Sequence, residues 1–195
     1  MGELGEEEEA EASGDGLTVP GGVPALHSVH YLHGLFPETF LAELDELRAV
    51  TPVFSGSHNM YASRRFLRCE ALAKRVLSFL PERLGLTHVL SDMRFIEYPP
   101  GGHILPHVDG VRVDDVTAQP STTSMLLFTE TVPEGEGGET EFLEFVDEEG
   151  TEGKARVLFG ARPVRGSILL FPHDVPHRGQ FVGAHPKILL RGDLY

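Results

Sequence analysis

Two short stretches carry the residue types that could do chemistry: His103-Ile104-Leu105-Pro106-His107-Val108-Asp109-Gly110, and Pro172-His173-Asp174-Val175-Pro176-His177. In an extended segment, residues two apart point to the same side, so His107 and Asp109 would present an imidazole and a carboxylate together. One more imidazole brought in by the fold would complete two histidines and a carboxylate on one face of a metal. That set leaves the opposite face open for exchangeable ligands and suits non-haem Fe(II). His103 competes with His107, but only His107 has the His-x-Asp spacing. The third ligand is sought at His173 or His177, just beyond the apolar run Ile168-Leu169-Leu170-Phe171. Histidine is a natural ligand at a sheet rim because a neutral imidazole binds without charge compensation.

The last strand adds a second signal. Lys187, Leu189 and Arg191 fall on one face of an apolar segment, and a cation buried in a sheet is costly unless it meets an anion. The strand itself therefore asks for an anionic ligand. Residues 54–68 gather polar groups without periodicity and are read as a loop, either plain surface or substrate-facing through Asn59, Tyr61, Arg64 and Arg65. His27, His30 and His33 recur at threes, but no cysteine or carboxylate stands at a spacing fit for a second metal. Cys69 reads as a small buried hydrophobe, since no histidine partner is indicated for a nucleophile.

The elements that must position these residues are set by composition. With 195 residues and 41% hydrophobic content the chain supports one substantial core. The net charge of −14 is uneven: residues 1–20 hold seven acids and no base, and the remaining 175 hold 23 acids against 16 bases. Residues 1–22 read as an acidic, disordered tail, and 23–195 as one domain. The acidic balance excludes general nucleic-acid binding. No apolar run reaches about 18 residues, so no membrane span is expected. A single cysteine and the lack of a signal peptide imply an intracellular, cytoplasmic or nuclear setting.

Along the domain, Pro37 opens a helix whose Phe40, Leu41, Leu44 and Leu47 recur at 3.6 residues, ending before Pro52. A second helix is expected from Glu70 to Leu84, stopped by Gly85. From there the texture turns to short strands: 89–98, 125–128, 139–145, 167–171 and 187–194, divided by Gly- and Pro-rich turns. Residues 130–156, with ten acids, read as an exposed loop crossed by one strand. The fold class is mainly β with supporting N-terminal helices: helical support at 35–85 and a β core at 88–195, as a sandwich, jelly roll or barrel.

In this setting the chain resembles the Fe(II)/2-oxoglutarate-dependent oxygenase superfamily, on its prolyl-4-hydroxylase-like branch. The resemblance rests on six elements in order: Tyr98-Pro99-Pro100-Gly101, His107-Val108-Asp109, Gly137-Gly138-Glu139-Thr140-Glu141-Phe142, Pro163-Val164-Arg165-Gly166, His177-Arg178-Gly179 and Lys187. It implies a double-stranded β-helix in which His107, Asp109 and His177 hold Fe(II). It further implies that Lys187 and Tyr98 meet the distal carboxylate of 2-oxoglutarate, with Arg191 as an alternative or a sharer, and that His173 stands beside the ligands. Dioxygen is the oxidant and ascorbate an optional reductant. Phe128 stands where many relatives carry tyrosine, and Arg178 where an acid is common. The implied reaction is hydroxylation of a protein or peptide residue, proline first, with release of succinate and CO2. A basic or neutral segment would suit the acidic surface. A small-molecule hydroxylase, a nucleic-acid demethylase and an inactive binding module are the alternatives.

Overall fold

A computed structural model describes residues 17–18, Leu26, 28–55, 61–146 and 154–195. Most of the acidic tail, together with His27 and Asn59, lies outside the described residues. The strands are β1 (Leu17–Thr18), β2 (His30–Leu32), β3 (Ser63–Arg68), β4 (Asp92–Tyr98), β5 (Ile104–His107), β6 (Thr123–Phe128), β7 (Thr140–Val146), β8 (Lys154–Ala161), β9 (Ile168–Pro172), β10 (His177–Gly179) and β11 (Lys187–Leu194). The helices are α1 (Glu38–Val50) and α2 (Glu70–Phe79).

The strands form two antiparallel sheets, a large one in the order β1-β2-β9-β6-β11-β4-β3 and a small one in the order β5-β10-β7-β8. Facing each other, they make the double-stranded β-helix expected from the sequence. The large sheet is buried on both faces, which is why β9 reads as an unbroken apolar run rather than an alternation. Its outer residues, including Phe95, Leu127, Ile168 and Leu190, pack against Phe40, Leu41 and Leu44 of α1 and Leu72 and Val76 of α2. Its inner residues, including Ile96, Phe128, Leu169, Phe171 and Leu189, pack against Phe142, Val175 and Val182 from the side of the small sheet. The two helices thus brace the sheet from behind and leave its inner face for the site.

Four elements differ from the sequence expectation. The second helix stops at Phe79, because Pro81 cannot donate a backbone hydrogen bond and restrains the residue before it. The chain then makes a short 3-10 turn, Glu82–Leu84, that ends on Gly85 in the left-handed region at φ 68°. The stretch 54–68 is not wholly loop: β3 lies along β4 from Ser63↔Glu97 to Arg68↔Asp92. Pairing to an available sheet edge overrides its polar composition. The acidic segment is likewise followed by a second strand, β8, which pairs β7 at the rim of the small sheet and keeps several side chains partly exposed. Leu17 and Thr18 add a short edge strand to β2.

Phe40 is the anchor of the bracing layer, stacked near Phe36 and Phe79 with ring centroids 5.7 and 5.0 Å away. The change Phe40→Ala is expected to cost about 3–5 kcal/mol of unfolding free energy, read as a lower urea midpoint.

Candidate metal centre

The turn of the β-helix brings together what the sequence separates. β5 pairs with β10 so that His107 stands opposite His177, and their ring centroids are 4.3 Å apart. Asp109 lies just beyond β5, where its backbone N–H donates to the carbonyl of His173 at 2.8 Å. The Asp109 carboxylate then lies between the rings, with Oδ1 3.8 Å from His107 Nε2 and Oδ2 3.8 Å from His177 Nε2. Among the described residues this is the cluster of three whose ligand atoms all lie within 4.8 Å of one another.

The donor set fits a divalent ion. His107 Nδ1–H donates to Leu105 O at 2.8 Å and His177 Nδ1–H to Val175 O at 2.9 Å. Each ring is thereby fixed in the tautomer that leaves Nε2 with a lone pair, facing Asp109. Burial, with His107 adding to it, pushes His177 down to about 4, so its ring is neutral at ordinary pH. Burial opposes the charged form of Asp109, but the guanidinium of Arg191, the hydroxyl of Ser124 and His177 outweigh it and hold the carboxyl below its usual range. The site therefore offers two imidazole nitrogens and one anion, with the side chain of His107 about 30% exposed and that of His177 buried.

Two sets of contacts hold the carboxylate in place. Arg191 Nη2 reaches Asp109 Oδ1 at 3.0 Å while its Nη1 reaches Asp193 Oδ2 at 3.1 Å. On the other side a chain of hydrogen bonds runs from the loop after Asp109. Arg112 N–H donates to Ser121 Oγ at 2.9 Å, and Ser121 Oγ lies 2.8 Å from His173 Nε2. His173 Nδ1 lies 2.8 Å from Ser124 Oγ, which donates to Asp109 Oδ2 at 2.5 Å. With Ser124 donating to the carboxylate, every proton in this chain points toward Asp109, and His173 takes part as a neutral ring. Its burial, which lowers its pKa, favours that form.

The cation expected from the last strand stands in the same cavity, of about 70 Å³. Lys187 is buried and its Nζ donates to Thr140 Oγ1 at 2.9 Å. It lies 5.7 Å from the centroid of Tyr98 and 5.6 Å from that of Phe128. Gly179 lies beside it, where a Cβ would press on Ile104 at 3.0 Å and meet Lys187 Nζ at an ordinary 3.9 Å. Burial pushes Lys187 down to about 7, with Glu139 opposing only in part.

Of the residues singled out in 54–68, Arg64 lines the cavity. Arg65, one residue on, points to the opposite face and donates to Thr51 O at 2.6 Å. Tyr61 stacks on His103, and His103 on Phe181, each with centroids 4.0 Å apart. Sequence reasoning did not find Arg94, Ser121 or Ser124, whereas the pairing of Arg191 with Asp193 was one of its two alternatives for that arginine. Arg94 was within reach, because it shares its strand face with Ile96 and Tyr98. The serines carry no comparable signal.

Comparison with known proteins agrees with this geometry. The profile of the 2OG-Fe(II) oxygenase superfamily matches residues 93–192. The chain belongs to that superfamily. The viral collagen prolyl hydroxylase vCPH of Paramecium Bursaria Chlorella virus-1 shares the fold at 14% identity and TM-score 0.59, with 86% of this chain and 94% of that one covered. A prolyl-4-hydroxylase of Pseudomonas putida does so at 18% identity and TM-score 0.57, covering 87% and 93%. HygX of Streptomyces hygroscopicus, solved with nickel and 2-oxoglutarate, does so at 10% identity and TM-score 0.58, covering 86% and 82%. A search of curated proteins finds no match.

Lys187 supplies a test of the cavity that needs no substrate. Below pH about 7 the folded chain must hold a buried ammonium. Between about 7 and the ordinary lysine value of 10.5 the folded chain has released that proton while the unfolded chain keeps it. Stability attributable to this residue therefore rises with pH across that window. Lys187→Met is expected to raise the Tm of the ligand-free protein at pH 6 by a few degrees, and the gain should shrink by pH 9. Thermal melts that show a loss at both pH values would contradict the burial of an uncompensated charge.

Proposed function

We propose that the chain hydroxylates a residue of a protein or peptide, with proline the leading target, using Fe(II), 2-oxoglutarate and dioxygen. The reading is carried by one observation: the His107, Asp109 and His177 ligand set opens into the same cavity as the buried Lys187. His107, Asp109 and His177 would hold the metal. Lys187 would pair with the distal carboxylate of 2-oxoglutarate, with Tyr98 on the same side. The pairing would return to Lys187 the anion that its burial demands. Arg191 is already shared between Asp109 and Asp193, so its role is assigned to the carboxylate ligand and the cosubstrate is left to Lys187. When bound, iron and 2-oxoglutarate together supply the oxidising chemistry, with succinate and CO2 as the coproducts.

This chain's residues do the rest. Arg191 and Ser124 keep Asp109 charged and aimed at the histidines. Phe142 and Phe171 wall His177 away from water, Phe171 edge-on with centroids 4.7 Å apart. The likeness to prolyl hydroxylases supports a peptide substrate. The fold is also that of HygX, which has been solved with hygromycin B, and this supports a small-molecule hydroxylase as the second reading.

The expected result with Fe(II)-loaded protein, 2-oxoglutarate and a panel of proline-containing peptides is peptide-dependent succinate with a gain of one oxygen in peptide mass. His107→Ala, Asp109→Ala and His177→Ala should each lower turnover at least 100-fold. Succinate formed at the same rate without peptide would favour the small-molecule reading, and none from protein shown to bind iron would contradict the enzyme. Changing Ser124 to Ala should weaken metal binding about 10-fold or more, measured by competition with a chelator.

A further inference from the structure

We infer that Arg94 is a substrate-binding residue and that the substrate presents an anionic group, a carboxylate or a phosphate, to it beside Asp109. This rests on the oxygenase reading and narrows its substrate. The cavity reverses the charge of the chain: Arg64, Arg94, Arg178, Lys187 and Arg191 line it against the single carboxylate of Asp109, in a protein of net charge −14. Three of these cations have partners that account for them. Arg191 is shared by Asp109 and Asp193, Arg178 donates to Glu141 at 2.5 Å, and Lys187 awaits the cosubstrate.

Arg64 has an interaction of its own as well, and Arg94 is the one left over. No hydrogen bond or ion pair to a described residue accounts for it, and its Nε is buried without a partner. Burial, with Arg191 adding to it, pushes its pKa down to about 10, and the nearby charges of Asp193 and Asp109 offset this only in part. A guanidinium held in that position is costly unless an anion meets it, and its planar fork is matched to a carboxylate or phosphate.

The distal carboxylate of the cosubstrate, paired with Lys187, cannot also serve Arg94, and its near carboxylate would be taken by the metal; a parallel loss of 2-oxoglutarate in Arg94→Gln is the outcome that would give that near carboxylate to Arg94 instead. In the paired strands Lys187 stands opposite Tyr98 and Arg191 opposite Arg94. Arg94 is four residues from Tyr98 along β4, about 13 Å of strand, whereas the two carboxylates of 2-oxoglutarate are separated by three carbons. Arg94 thus marks the metal end of the cavity, on the side away from Lys187. An anion there would sit close to the reacting position, as an acidic side chain or terminal carboxylate of a peptide would, or an acidic small molecule.

The test uses the full chain loaded with Mn(II) and saturating 2-oxoglutarate, whose binding is measured first, and then titrated by calorimetry with inorganic phosphate and, separately, with acetate. At least one anion is expected to bind with 2-oxoglutarate in place, and which of them binds more tightly distinguishes the two sources. Arg94→Gln should weaken that binding at least tenfold while changing 2-oxoglutarate affinity less than twofold, which also certifies its fold. Arg94→Lys should keep part of the anion affinity and provides the comparison should the glutamine variant misfold. The proposal is overturned if neither anion binds the wild-type protein, if Arg94→Gln or Arg94→Lys binds them as tightly as wild type, or if Arg94→Gln loses 2-oxoglutarate in parallel. Absence of Mn(II) and 2-oxoglutarate binding would instead count against the oxygenase site, and the phosphate titration, repeated on the metal-free protein, would judge Arg94 by itself.

Discussion

A carboxylate inside a β-barrel stays charged only if donors outweigh the water it has lost, and Asp109 meets that condition from both sides. Arg191 binds one oxygen and Ser124 the other. Each carboxylate oxygen has two lone-pair sites, so these bonds fix the group and still leave electron pairs facing His107 and His177. The rest of the site depends on this. Without Arg191 the anion would be expensive to bury, and without Asp193 on its far side Arg191 would be expensive in turn.

That constraint explains how the layers are arranged. Arg191 and Asp193 occupy β11, an interior strand of the large sheet, flanked by β4 and β6. Placing ions there requires a rigid frame, and α1 and α2 supply it by covering the outer face with aliphatic and aromatic side chains. The small sheet contributes the histidines, so the imidazoles of the candidate metal centre come from one sheet and the charges that govern the carboxylate from the other. The hydrogen-bonded run Arg112, Ser121, His173, Ser124 ties the loop after Asp109 to the same carboxylate. Movement of that loop on substrate binding would be felt at Asp109 through His173.

The sequence disclosed the parts of this that depend on local spacing. His107 and Asp109 share a face because a strand has period 2, and Lys187 and Arg191 share one for the same reason. Pro37 and the stripe Phe40, Leu41 and Leu44 located α1, and the terminal strand was legible along its whole length from Lys187 to Leu194. What escaped was set by partners distant in sequence. β3 forms because β4 offers it an edge, and Pro81 shortens α2 in a stretch whose apolar period runs on. The division of labour between Lys187 and Arg191, and the pairing of the latter with Asp109, required the register of β11 on β4. Ser124 was hidden because its role follows from burial beside a carboxylate, which no spacing announces.

The measurement that bears most directly on this account is a titration of the metal-free protein with Mn(II), followed by electron paramagnetic resonance, in the wild type and in Asp109→Ala. The account predicts one ion per chain in the wild type and a loss of that binding when Asp109 is removed, with the fold retained. No bound ion in the wild type, or one held as tightly by Asp109→Ala, would contradict it.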